Sequence, residues 1–390
     1  MSGHRPSLVA IFARFLNFGL LAWGGPVAQI AMIKRDLVEE EKWLSPDRFN
    51  RLLAVYQVLP GPEAHELCVH LGMMKRGRLG GILAGLGFML PGFLLILALA
   101  WLYQRLDLNH PLLAAIFLGV QIGVIALIVR AVHRIGEHVL VDKWLWMAGI
   151  ASAIGSWLGV GFWIILPGAA LFYVAAASRK YPLAAAIALL AVALAIWIAS
   201  RDGADATGAV SAASVNIPAL FLSGLKGGLL TFGGAYTAIP FVRHDAVGRG
   251  WVSDGQFLDG LALSGIIPAP LIIFATFVGY LAGGLGGALA ITAGIFLPAF
   301  SFALIFYDRL ERVVEDQRMH RLLEGVAAGV VGLIAVTALQ LGRNVAQSVP
   351  SLTLGTAAFA LFLALLYRWT SKLTVLAVVL GLGAFGALAF

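Results

Sequence analysis

The tripeptide Pro60-Gly61-Pro62 interrupts one long apolar run, and Pro268-Ala269-Pro270 interrupts another ~208 residues later. Further blocks recur in the same order. GLLAWGGP (19–26) matches GLLTFGGA (228–235), and KWLSPDRF (42–49) matches GWVSDGQF (250–257). LPGF (90–93) matches LPAF (297–300), and GVQIGVIALI (119–128) matches GVAAGVVGLI (325–334). The offset stays within ~206–209 throughout, so the chain is read as a duplicated unit. Any fold must therefore use one arrangement of broken apolar segments twice.

The runs between the breaks are of membrane length. The chain is 60% hydrophobic and 12% charged, about half the charge of an ordinary soluble domain. It reads as an all-α polytopic membrane protein. The net charge of +7 sits in short loops between apolar runs, which points to topology rather than nucleic acid. It also suits an anionic substrate. The single cysteine, Cys68, excludes an internal disulfide and a multi-cysteine metal site. No small-residue cleavage site follows the first apolar run, so no removable signal peptide is expected.

Each unit begins with two apolar segments broken in the middle, at Gly24-Gly25-Pro26 and Pro60-Gly61-Pro62 in the first, and near Gly233-Gly234-Ala235 and Pro268-Ala269-Pro270 in the second. Long spans follow, near 79–103, 111–133, 143–158 and 160–177, and again near 285–307, 322–341, 350–368 and 372–390. The run 182–199 has no counterpart, and a polar stretch, 201–216, joins the units. The expected division is a first repeat at 1–177, a connecting helix and linker at 178–216, and a second repeat at 217–390.

Lys75, Arg76 and Arg78 precede the span 79–103, and only Arg105 follows it. Its counterpart, 285–307, is preceded by none and followed by Arg309, Arg312, Arg318 and Arg321. Basic loops stay cytoplasmic, so the repeated helix should run in opposite directions in the two units, with 182–199 supplying the odd crossing. Arg179-Lys180 and Arg368/Lys372 agree, whereas Arg201 and Arg343 are exceptions. The expectation is an inverted-topology repeat, as in many secondary transporters, with the N-terminus cytoplasmic and the C-terminus outside. The broken segments are either full crossings or re-entrant hairpins, because both return the chain to the side it left. The total is nine membrane segments in one case and thirteen in the other.

Proline cannot continue a helix but suits the first position of a new one. Pro26, Pro62 and Pro270 thus read as starts of half-helices, after residues that permit a sharp turn. Such an end presents free N–H groups and partial positive charge, which is an anion site, and is tolerated at membrane depth only in a protein-lined or watery cavity. Four ends converging near the midplane would hold a small dianion without a buried arginine. The alternative for each proline is a packing kink.

Glu63, His65 and Glu66 fall in the first turn after Pro62. They either cap the free amides or titrate and couple proton movement to anion movement. Their counterparts, Leu271–Phe274, are apolar, so any such role belongs to one unit. Lys226 and Arg14 lie in apolar runs and either attract an anion or snorkel to the interface. Arg35, aligned with Arg243, is a candidate entrance guard. His65 and His70 are five apart, about 140° round a helix, which does not suit a zinc site. No phosphate loop occurs either, so no metal and no cofactor is expected.

These blocks resemble the chromate ion transporter (CHR) family in its long two-domain form. The likeness rests on WGGPVAQIAMIKRDLVEEEKWLSPDRF, QVLPGPEAHELCVHLG and GLGFMLPGF in the first unit. In the second it rests on TFGGAYTAIPFV, LSGIIPAPLIIFATFVGYLAGG and GIFLPAF. It implies export of chromate across the bacterial inner membrane, with sulfate as competitor or alternative substrate. By motif it carries substrate contact to Gly24, Gly25, Pro26, Gln57, Pro60, Gly61 and Pro62, and to Gly233, Gly234, Pro268 and Pro270. Ala235, Ala269 and Lys226 join them from the break and charge arguments. Trp23 stands where the family commonly has Phe, which Phe232 keeps. The expected partners are the anion, membrane lipid and protons, with room for a homodimer. The rivals to a secondary exporter are a sulfate or other oxyanion importer, a passive channel, and an intramembrane enzyme using His65 and Glu66.

Overall fold

The computed structural model describes residues 6–107, 110–205, 215–306, 316–369, 371 and 373–390. Residues 206–214 of the linker, Arg309, Arg312 and Lys372 lie outside the described residues. Every element among those described is helical. The first unit contains α1 (Leu8–Leu20), α2 (Gly25–Ile33), α3 (Pro46–Val58), α4 (Glu63–Tyr103), α5 (Pro111–Val139), α6 (Lys143–Trp157) and α7 (Phe162–Ala177). After α8 (Tyr181–Asp205) the second contains α9 (Ile217–Leu229), α10 (Ile239–Ala246), α11 (Asp254–Gly265), α12 (Phe274–Ser301), α13 (Gln317–Ser348), α14 (Leu352–Arg368) and α15 (Thr374–Ala389). Single 3₁₀ turns, Ala235–Ala238 and Leu271–Ile273, lead into α10 and α12.

The 41 residues of α4 would measure about 60 Å if straight, twice a hydrocarbon core. They do not form one rod. Arg76 (φ −139°, ψ 29°) and Gly77 (φ 62°, ψ −162°) leave helical space. Gly72 and Gly80, about 12 Å apart in a continuous helix, are in contact, and Gly81 and Gly85 lie against Val69. The chain therefore reverses at Gly77 into two antiparallel arms. The second unit repeats this at Gly283 (φ −141°, ψ 25°) and Gly284 (φ 60°, ψ −152°), where Gly279 meets Gly287 and Ile291. Only glycine holds that backbone region cheaply. By length and apolarity α4, α5, the run 271–305 and α13 are the four membrane-crossing candidates among the described residues. Because α4 and 271–305 fold back, only their second arms, 78–103 and 285–305, keep membrane-crossing length. The helices α6, α7, α14 and α15 have 15 to 17 residues, about 23–26 Å.

The broken segments also turn back. Arg14 on α1 pairs with Asp36 and Glu41, Trp43 packs on Phe15, and Lys75 lies 4.7 Å from the Trp43 ring. The chain after α2, the start of α3 and the end of the first α4 arm thus gather at one end of the molecule, beside the first half of α1. The segment after α2 is a wide π turn, Lys34–Glu40. One more residue separates Asp36 from Trp43 than separates their counterparts Asp245 and Trp251, and a turn closing over five residues absorbs it. This register also sets Arg243 opposite Lys34, one place from the expected Arg35.

Helix contacts are close because glycine lets backbones meet. Gly87 on α4 lies against Phe12 and Leu16 of α1, and Gly294 on α12 lies against Phe221 and Leu225 of α9, which are the same contacts by alignment. The long helices cross between units. α5 packs on α14 and α15, and α13 packs on α6 and α7. Outward-facing Leu189, Leu190, Trp146, Ile154, Trp163 and Leu361 leave an apolar exterior, which suits lipid.

Candidate functional site

At the first break of each unit the backbone turns through glycine pairs with positive φ: Gly24 at 87° and Gly25 at 77°, then Gly233 at 71° and Gly234 at 122°. A methyl group added at Gly25, Gly233 or Gly234 would meet nothing within 4 Å, so the backbone borders open space on the side a Cβ would occupy. Pro26 sits in the first turn of α2, which has no side-chain cap. The second breaks differ. Gly61, Pro62, Pro268, Ala269 and Pro270 are buried, and Pro60 is half-buried.

The breaks of one unit contact those of the other. The Gly61 amide donates to the Thr231 carbonyl at 2.8 Å. Gln29 Nε2 donates to the Ala22 carbonyl at 2.9 Å and the Ala269 carbonyl at 3.1 Å. By alignment Ala22 corresponds to Thr231, and Gly61 to Ala269. One contact is therefore made twice, directly in one place and through the Gln29 side chain in the other. Gly92 of α4 lies against Pro268 and Ala269, which fixes that break from the first unit. Gln29 is buried, and sequence reasoning passed over it. Its signal was an amide side chain within an apolar half-helix.

Glu63, His65 and Glu66 occupy the first turn of α4. Pro62 stands at the cap with no side-chain bond to the helix, and the Glu66 carboxyl does not cap the free amides. Glu66 is fully buried, its carboxyl group lies against Gly61, and neither oxygen has a hydrogen-bond partner among the described residues. His65 is also fully buried, with its ring centroid 4.9 Å from that of Phe296, 4.8 Å from Phe300 and 6.4 Å from Phe88. It thus touches both units. Gln57 stands exposed on α3, one turn before the break.

The candidate cations are paired. Lys226 on α9 forms an ion pair with Asp245 on α10, both largely buried. Arg243 is held by Asp254 at 2.7 Å and Gln340 at 2.8 Å, with Asn344 also on Asp254. Arg35 is exposed, and its partners among the described residues are Asp36 and Glu40, nearby in the chain. A cluster that sequence reasoning missed lies on α11: the buried Asp259 accepts from Tyr103 Oη at 2.6 Å and Gln121 Nε2 at 2.9 Å. Its partners are 156 and 138 residues away, so no local pattern could reveal it.

The chromate transporter family profile matches residues 9–202 and 218–387. A chromate transport protein of Pseudomonas aeruginosa is 62% identical over 382 residues, covering 97% of this chain and 92% of that protein. A chromate transport protein of Cupriavidus metallidurans is 30% identical, covering 90% and 86%. A probable chromate transport protein of Synechococcus elongatus is 29% identical, covering 90% and 88%. No solved structure matches. With both matched stretches carrying the paired breaks and the reversing glycines, the chain belongs to the chromate transporter family.

Proposed function

We propose that this protein is a secondary transporter that exports chromate from the cytoplasm by alternating access of two oppositely oriented repeats. The repeats run from 1–177 and 217–390, joined through 178–216. The observation that carries the reading is the doubled contact, Gly61 with Thr231 and Ala22 through Gln29 with Ala269. It brings main-chain breaks from both repeats together, as a shared midplane site requires. The names of the relatives supply the anion.

In this reading the broken segments are re-entrant hairpins and nine helices cross the inner membrane, with the N-terminus inside and the C-terminus outside. The Gly61 amide is already committed to Thr231. The anion is therefore assigned to the open ends at Gly24, Gly25 and Pro26 and at Gly233 and Gly234, with the buried Ala235 behind the second. Gln57 stands at the approach, and Pro60, Pro62, Pro268, Ala269 and Pro270 back them. Each helix end contributes ~0.3–2 kcal/mol to holding an anion. Lys226 serves that site through its pair with Asp245, by fixing α10 against α9. Arg35 and Arg243 flank the two entrances. Glu66, lying against Gly61 without a partner, is the proton-coupling residue this geometry favours, with Glu63 and His65 beside it.

Membrane potential favours exit of a dianion from a negative-inside cell by about 2.3 kcal/mol per charge per 100 mV. Chromate uptake into inside-out vesicles, driven separately by an imposed voltage or pH gradient, tests the proposal. Wild type should respond to both and Glu66→Gln or Glu63→Gln to voltage alone. Uptake that ignores both gradients overturns coupled transport, and uptake that excess sulfate drives but chromate does not compete with overturns the substrate.

A further inference from the structure

The first and second hairpins carry matched helices, α3 and α11, whose surroundings are opposite. On α3 the residues Asp47, Arg51, Ala54 and Gln57 follow one another at helical spacing and are all exposed. They form a polar stripe that leads from one end of the molecule towards the break. Their counterparts on α11 are Gly255, Asp259, Ala262 and Gly265. Asp259 and Ala262 are buried, and Gly255 and Gly265 lie close to Gln121 of α5 and Val375 of α15. Two copies of one element thus stand in two states, one withdrawn from its neighbours and one closed against them.

What holds α11 closed is identifiable. Asp259 Oδ2 accepts from Tyr103 Oη at 2.6 Å, and Asp259 Oδ1 accepts from Gln121 Nε2 at 2.9 Å. Tyr103 ends the second arm of α4 and Gln121 lies on α5, so both bonds join the second unit to the first. Edge-on contacts to Phe117 at 5.4 Å and Phe277 at 5.0 Å orient the Tyr103 ring. Asp259 has no cation partner among the described residues. A buried carboxyl group held only by donors is stable with both bonds made, or with water restored, but not half-way. That makes the cluster a two-state contact. The matching position on α3 is Arg51, which cannot accept those bonds, so the device is built into one side only.

We infer that Asp259, Tyr103 and Gln121 form a latch that keeps the α11 entrance shut while the α3 stripe is open, and that this latch must break for the opposite entrance to open. The inference rests on the alternating-access reading above, but not on the identity of the anion. Ala54 and Ala262 are aligned alanines on the matched faces, one exposed and one buried. They are the reporters. In a Cys68→Ala background, Ala54→Cys or Ala262→Cys is labelled with a membrane-impermeant maleimide in right-side-out and inside-out vesicles without substrate. With the latch intact, Ala54→Cys reacts from one face and Ala262→Cys is protected. Adding Asp259→Asn or Tyr103→Phe should raise labelling of Ala262→Cys from the opposite face by about tenfold, the scale of one lost hydrogen bond to a charged group. It should lower labelling of Ala54→Cys by the population gained on the other side, a smaller fractional change because the α3-open form starts out dominant. Unchanged labelling of Ala262→Cys in both variants overturns the latch. A joint rise at both positions overturns it as well, because a latch trades one entrance for the other. Tyr103→Phe removes one hydroxyl from a ring that stays packed, so it reports even where Asp259→Asn fails to assemble. Protection of Ala54→Cys by chromate is read separately: its absence with the trade intact overturns the anion site and leaves the latch standing.

Discussion

Replacing Lys226 by methionine leaves the Asp245 carboxylate with 5% of its side chain exposed and no cation beside it. The Lys226 side chain is itself only 15% exposed, and its ammonium lies 5.3 Å from the Phe162 ring centre. Removing one member of a buried pair costs about 3–5 kcal/mol, mostly from the charge left behind. For a chain of 390 residues that corresponds to a fall in melting temperature of about 4–6 °C. Asp245→Asn should cost a similar amount. The double variant Lys226→Met/Asp245→Asn leaves no buried charge and should recover most of the loss, since apolar or neutral replacement of a whole buried pair is close to neutral. In the first unit Asp36, the counterpart of Asp245, is held with Glu41 by Arg14, one turn before Asn17, the counterpart of Lys226, and Arg14 is 28% exposed. Arg14→Met should cost only about 1 kcal/mol. The assay is thermal melting of the purified protein in detergent, together with chromate uptake in vesicles normalised to protein amount. A double variant no more stable than the singles refutes the ion-pair reasoning. A double variant that is stable yet fails to move chromate refutes the structural role and returns Lys226 to the anion site.

Gln29→Leu leaves the Ala22 and Ala269 carbonyls without their donor and should cost about 1–3 kcal/mol with a loss of chromate uptake; melting and flux measure the two, and full uptake would show that the breaks need not be tied together. Gly77→Ala and Gly284→Ala force a side chain into the same glycine-only conformation and should each cost about 1–3 kcal/mol by thermal melting. Unequal effects beyond that range would refute the equivalence of the two reversals.

Much of this architecture was legible because it depends on backbone chemistry that few residues can supply. Proline and glycine announce a broken helix wherever they fall, and five repeated blocks announced that the breaks come twice. The reversals at Gly77 and Gly284 were readable only as gaps between apolar runs, since one glycine among many does not reveal its φ. Whether the broken segments cross or return was not readable, because both leave the same loop charges. The ion pair of Arg14 with Asp36, and Lys75 over Trp43, are contacts between residues distant in the chain that those charges do not announce. The contacts that assemble the site were the least visible. Gln29 reaches Ala269 across 240 residues, and Gly61 reaches Thr231 through main-chain atoms that any residue carries.

The places where the two units disagree carry as much meaning as those where they match. A duplicated unit that kept perfect equivalence would favour neither direction, because each conformation would be the mirror of the other in energy. Here Glu63, His65 and Glu66 face apolar Leu271–Phe274 in the alignment, and Arg51 faces Asp259. Gln29 supplies through a side chain what Gly61 supplies through its main chain. Each difference places a titratable or hydrogen-bonding group on one side of a contact that the other unit makes without it. A substitution that restores equivalence on the exposed side, such as Arg51→Asp on α3, should therefore do more harm to directional transport than to folding into the same helices. Vesicles of both orientations resolve this: the wild-type ratio of chromate flux in the two directions at zero voltage, zero pH gradient and equal chromate on both sides must be one by thermodynamics, so the asymmetry has to appear in the apparent affinity on each face. If Tyr103→Phe leaves the affinities on both faces unchanged while the labelling trade occurs, the asymmetric contacts serve assembly, and directional preference must lie in the gradients alone.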